Sequence, residues 1–165
     1  MSSQHRIGVI SDTHLPQRGP RISDAALRHF EDVDLIVHAG DHSTRAALDQ
    51  LAAYAPVEAV QGNVEDADIS ATLPIKREIV VGGCRIGIVH ILGDRAHYAR
   101  NARREFPTAR VVIFGHSHIP YLDDRDGLLL LNPGSATDRR WQPHCSIALL
   151  TITDGQPQAE IIFLP

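Results

Sequence analysis

The chain has 165 residues, 43% hydrophobic and 5% aromatic, with 16 Lys and Arg against 20 Asp and Glu for a net charge of −4. That length suits one domain, residues 1–165, with a single sizeable core, and the mild negative charge disfavours a general nucleic-acid coat binder. Two cysteines, Cys84 and Cys145, argue against a disulfide framework, and with no run long enough to span a membrane the expected location is the cytoplasm.

Arg6–Ile10 is an apolar, β-rich run and reads as a buried central strand. It stops at Ser11, and Asp12 and His14 follow at a spacing that lets both side chains reach one point. Leu15 to Pro20 is a Pro- and Gly-marked loop, and Ser23 can cap a short helix over Asp24–Phe30. Leu35–Ala39 is a second buried strand closed by Gly40-Asp41. Thr44–Tyr54 carries a helical apolar stripe, with Pro56 just past its end. Val57–Val60 is a third strand, running straight into Gln61-Gly62-Asn63. Strands alternating with helices predict a largely parallel sheet, whose ligands sit beyond the carboxyl ends of the strands.

The rhythm then changes. Ile75–Val81 and Cys84–Val89 form a hairpin around Gly82-Gly83 and deliver His90 at its end. Asp94 is a candidate cap for a helix reaching Phe106, whose Arg95, Arg100, Arg103 and Arg104 mark a wet face. Val111–Phe114 is another buried strand, ending in Gly115-His116-Ser117-His118. Beyond it, Tyr121-Leu122 and Leu128–Leu131 flank a turn at Asp123–Gly127, and Ile147–Thr153 pairs with Ala159–Phe163 around Asp154-Gly155. The pattern predicts an α/β fold in which two sheets pack face to face with helices outside them.

The strand ends together offer Asp12, His14, Asp41, Asn63, His90, His116 and His118, a set of oxygen and imidazole donors without a thiolate. Such a set suits Mn, Fe, Ni, Co or Zn in an open site better than a closed structural zinc site. Seven donors exceed what one ion takes, and a carboxylate can bridge, so two divalent ions are expected. Among the other singled-out residues, His38 is read as a core or orienting group, Cys84 as core, and Trp141 and Tyr121 as pocket or subunit-contact residues.

In order, Asp12-Thr13-His14, Gly40-Asp41, Gly62-Asn63, His90 and Gly115-His116-Ser117-His118 resemble the five blocks of the calcineurin-like metallophosphoesterases. The short chain and the loop Asn132-Pro133-Gly134-Ser135 are similar to the small bacterial and archaeal phosphodiesterase subfamily, which also includes a eukaryotic retromer subunit. The resemblance implies a four-layer αββα sandwich of two mixed sheets. It implies that Asp12, His14 and His118 hold one metal, that Asn63, His90 and His116 hold the other, and that Asp41 bridges them. It further implies hydrolysis of a small phosphodiester by a hydroxide shared between the metals, with Asp41, Asn63 and His90 as the residues that activate it and orient the phosphate. A homo-oligomer is compatible with this pattern, whereas a membrane or a specific nucleic acid is not an expected partner. One departure stands out: many larger members place a histidine after the Asn of the third block, where this chain has Val64. His42 and His97 are the candidate substitutes. The competing reading is a protein-binding scaffold that keeps the fold without efficient turnover.

Overall fold

The computed structural model describes residues 1–165. In chain order the strands are β1 (Gln4–Ile10), β2 (Leu35–His38), β3 (Val57–Ala59), β4 (Lys76–Val81), β5 (Cys84–Val89), β6 (Val111–Ile113), β7 (Tyr121–Arg125), β8 (Leu128–Asn132), β9 (Ser146–Thr153) and β10 (Gln156–Phe163). They form two five-stranded sheets, ordered β10-β9-β1-β2-β3 and β4-β5-β6-β8-β7. β1, β2 and β3 are parallel, as are β5, β6 and β8, and the outer partners run antiparallel.

Strand alternation decides what each layer buries. Ile7 and Val9 of β1 and Leu129 and Leu131 of β8 enter one layer between the sheets, with Val37, Ile86, Ile88, Val111, Ile113 and Leu150. The intervening positions look outward. Ile10 and Ile36 meet Leu27, Phe30 and Leu51, while Val112, Leu128 and Leu130 meet Tyr98, Ala102 and Phe106. Both sheets are thus buried on two faces, which is why their central strands carry continuous apolar runs. The helices that cover them are α1 (Asp24–Leu27), α2 (Ala46–Ala52), α3 (Ala67–Thr72) and α4 (Tyr98–Glu105). The result is the αββα sandwich of two mixed sheets. No helix is long and apolar enough to cross a membrane.

Several local expectations need correction. The helix expected over Thr44–Tyr54 is confined to Ala46–Ala52, because Thr44 spends its hydroxyl on the Leu15 carbonyl and Arg45 offers no side-chain cap. The helix expected after Asp94 starts as a 3-10 turn, Arg95–His97, and Asp94 makes no side-chain cap there. Its arginines do face water. α3 was not foreseen, although Asp66 caps it through the Ile69 N–H. The turn expected at Asp123–Gly127 is only Asp126-Gly127, both with positive φ, and Asp123–Arg125 continue β7. Asp-Gly in that conformation matches the twist of the flanking strands. Trp141 is 96% exposed, and Tyr121 packs on Tyr98 and Phe114.

Candidate metal centre

All seven donors named from the sequence meet beyond the carboxyl ends of β1, β2, β3, β5 and β6. Asp12, His14 and His118 present ligand atoms within 4.8 Å of one another, and so do Asp41, His90 and His116. Asn63 Oδ1 is 3.1 Å from His90 Nε2 and 3.1 Å from His116 Nδ1, which adds it to the second group. The two groups touch through their carboxylates. Asp41 Oδ2 stands 3.7 Å from His14 Nε2 and 3.1 Å from His90 Nε2. Asp12 Oδ1 is 3.4 Å from His118 Nε2 and 3.8 Å from His90 Nε2.

Each carboxylate has one oxygen tied down by backbone N–H or hydroxyl donors and the other turned to the imidazoles. Asp41 Oδ1 accepts from the Asn63 and Val64 N–H groups at 2.8 and 2.9 Å. Asp12 Oδ2 accepts from the Ser11 hydroxyl and the His116 N–H at 2.8 and 3.0 Å. Asp12 Oδ1, by contrast, is buried with no hydrogen-bond partner. An anionic oxygen left bare among three imidazoles is costly unless a cation joins it. The histidines are prepared in the same way. His90 Nδ1 donates to the Ala39 carbonyl at 2.7 Å and His118 Nδ1 to the Asp138 carbonyl at 2.6 Å, so each ring turns its Nε2 inward. Two donors bound about 2.1 Å from one ion stand about 3.0–3.4 Å apart, close to the separations here. The residues fit a pair of divalent cations.

The charge states agree. Burial alone would push the Asp41 carboxyl up, but the His90 ring, the Val64 N–H and the His14 ring outweigh it and bring it to about 2. Burial would lower His90, yet Asp41 and Asp12 hold it above its ordinary value. Burial lowers His14 despite the two carboxylates, and burial with the His90 ring lowers His116. Asp41 and His90 thus each favour the other's charged form, an interaction that a cation held there would replace.

The loops that deliver these groups are strained. Asp12, His14, Asp41, His116 and His118 all have positive φ, between 46° and 74°. A left-handed residue other than glycine costs about 1 kcal/mol or more and persists only where its surroundings over-determine it. Here the surroundings do. Ser135 Oγ and Thr137 Oγ1 donate to the Asp12 and Thr13 carbonyls at 2.7 and 2.6 Å, and Asn132 Nδ2 donates to the Gly115 carbonyl at 3.1 Å. The Asn132–Ser135 loop therefore orients the ligand loops. Gly62 is required for another reason, because a Cβ there would strike Asp41 Oδ1 and the Asp41 backbone N–H.

His38 is fully buried and holds loops rather than a metal. Its Nδ1 accepts from the Gly40 N–H at 3.2 Å, so its Nε2 carries the proton and donates to Thr13 Oγ1 at 3.0 Å. Burial and the nearby His42, His90 and His14 rings keep it neutral, well below its usual pKa.

The residue that the sequence did not single out is Glu65. Its carboxylate, 1% exposed, accepts from the backbone N–H groups of His42, Ser43 and Gly62 at 3.1, 3.0 and 2.9 Å. His42 is completely buried with its Nδ1 against the same carboxylate. That placement removes His42 as a substitute for the histidine missing at Val64, and His97 stands on an exposed turn.

A domain model of the calcineurin-like phosphoesterase superfamily matches residues 6–155. The chain belongs to that superfamily. This phosphoesterase-family chain is 38% identical over 162 residues to a "probable metallophosphoesterase" of Methanothermobacter thermautotrophicus, covering 94% of this chain and 91% of that protein. A second so described, from Methanocaldococcus jannaschii, is 40% identical over 154 residues, covering 90% and 76%. Among solved structures, wild-type Vps29 of Entamoeba histolytica complexed with zinc superposes with a TM-score of 0.75 at 25% identity, covering 96% of this chain and 98% of that one.

Proposed function

We propose that the chain is a phosphodiesterase that works with two divalent cations. Asp12, His14 and His118 would hold one ion, Asn63, His90 and His116 the other, and Asp41 would serve both. The observation that carries this reading is the pair of donor groups joined by carboxylate oxygens turned to the imidazoles, of which Asp12 Oδ1 has no hydrogen-bond partner. Bound there, the ions supply a water of lowered pKa and neutralise the phosphoryl oxygens.

The chain's own contribution is orientation. Backbone N–H groups fix Asp41 and Asp12, and carbonyls fix the His90 and His118 rings, so little reorganisation is needed as phosphate enters. Asn63 and His116 form the exposed side of the cluster and are where substrate arrives. With Asn63 Oδ1 turned to the histidines, its Nδ2 is free to donate to a phosphate oxygen. A carboxylate at this position would repel the incoming anion.

The test is hydrolysis of bis(4-nitrophenyl) phosphate. Chelation is expected to abolish it and Mn or Ni to restore it. Turnover untouched by exhaustive chelation would contradict the reading. A second reading, a scaffold with the same fold, is favoured by Val64, which is 47% exposed where larger members place a histidine. The zinc in the Entamoeba protein supports the metal half of the proposal and bears on neither turnover nor substrate. Bound metal without hydrolysis of any diester or monoester would favour the scaffold.

A further inference from the structure

On the Asn63 and His90 side of the donor cluster lies a cavity of about 180 Å³, lined by Gln61, Asn63, Ile75, Val89, His90 and Ile91. Its inner wall is thus made of two proposed ligands, and the outer wall is aliphatic. Ile75 just precedes β4 and Ile91 just follows His90, and the Lys76–Val89 pairing of β4 with β5 brings the two side by side. They keep 70% and 48% of their surface in water. Single exposed isoleucines need no explanation, but two on one wall next to a reactive cluster form a surface that lacks a partner.

The cavity's polarity narrows what fits. Apart from the two proposed ligands, Gln61 is the only polar side chain on the wall, and its Nε2 is committed to the Leu73 carbonyl at 2.8 Å. The surface turns charged only beyond the aliphatic wall, where Lys76, Arg104 and Glu105 line the neighbouring cavity. Those charges satisfy one another, with Glu105 3.2 Å from Lys76 and 3.4 Å from Arg104. A glyceryl or choline group placed against Ile75 and Ile91 would lose hydration, and the aliphatic wall offers no hydrogen bond in return. The space is also well below the roughly 300–1,000 Å³ that accommodates a whole drug-sized ligand.

The geometry points to a substrate subsite in which Ile75, Val89 and Ile91 receive the uncharged aryl ring of a phosphoester whose phosphate meets Asn63 and His90. This assignment rests on the phosphodiesterase reading and narrows it to ring-bearing esters.

Phosphonates test the subsite by binding alone. Calorimetry on the Mn-loaded chain is expected to show phenylphosphonate binding at least about tenfold tighter than methylphosphonate, the discrimination a small apolar pocket typically gives. In the double variant Ile75→Ser, Ile91→Ser, whose sites are both exposed, the ratio is expected to fall below about threefold. Equal affinities in the unmodified chain, or a ratio that survives the double substitution, would overturn the subsite. So would a dimer that the double substitution dissociates while the ratio stays unchanged, which would give the wall to a second copy of the chain. Turnover of bis(4-nitrophenyl) phosphate in the same preparation separates the two failures. Turnover without ring discrimination overturns the subsite alone. Absence of both turnover and phosphonate binding overturns the subsite and the phosphodiesterase reading together.

Discussion

Asp41→Asn is expected to weaken both cations at once and to cut phosphodiester turnover by at least about 10²-fold. The reason lies in how the two oxygens are divided. Oδ1 is engaged by two backbone N–H groups, and Oδ2 lies between His14 and His90. An amide cannot reproduce that division. If its oxygen keeps the backbone bonds, its NH₂ faces the imidazoles and a shared anionic donor is lost. If it flips, the NH₂ confronts the Asn63 and Val64 N–H groups. Metal titration of the variant should show both sites weakened, whereas His118→Ala should weaken one first. An Asp41→Asn protein that holds both ions with unchanged affinity would show that this carboxylate is not shared.

Glu65→Ala is expected to cost about 3–5 kcal/mol of stability, since three backbone donors and a buried imidazole lose their acceptor together. Metal affinity should fall as well, by about 10–100-fold, because the same carboxylate fixes the loops that present Asp41 and Asn63. Denaturant unfolding of the chelated proteins measures the first effect and metal titration the second. Glu65→Gln, which keeps an oxygen, should lose less of both. The stability gap also depends on pH. Burial pushes the Glu65 carboxyl up, but His42 and the backbone donors outweigh it and leave it below its ordinary 4.5. A depressed carboxyl pKa adds stability that is complete above the unfolded value and disappears as pH falls through the folded one. The difference between wild type and Glu65→Ala should therefore hold above about pH 4.5 and close in more acidic solution. A gap below about 1 kcal/mol at neutral pH, with metal affinity unchanged, would remove Glu65 from the positioning network.

The donor set was legible because this fold attaches its chemistry to strand ends. An apolar run that stops at an Asp, Asn or His is visible along the chain, and five such stops brought seven donors to one edge. The layers were legible for a related reason: strands buried on both faces leave continuous apolar runs, as in Leu128–Leu131. What holds the donors was less visible. Glu65 reaches residues more than twenty positions away, and nothing in its local sequence announces that its carboxylate is buried. The positive φ angles at Asp12, His14 and His118 come from tertiary hydrogen bonds, since none of these positions is a glycine. α3 was missed because six residues are too few to show a helical period, although Asp66 at its start is a readable cap. Trp141 was open to a pocket or a subunit contact, because the burial that decides between them is not visible in the sequence; the fold leaves it 96% exposed.

The most direct measurement of the central claim is anomalous X-ray scattering from crystals of the Mn-loaded chain. Two peaks are expected about 3.5–4 Å apart, one beside Asp12, His14 and His118 and the other beside Asn63, His90 and His116, with Asp41 Oδ2 between them. A single peak, or two peaks that do not share Asp41, would contradict it.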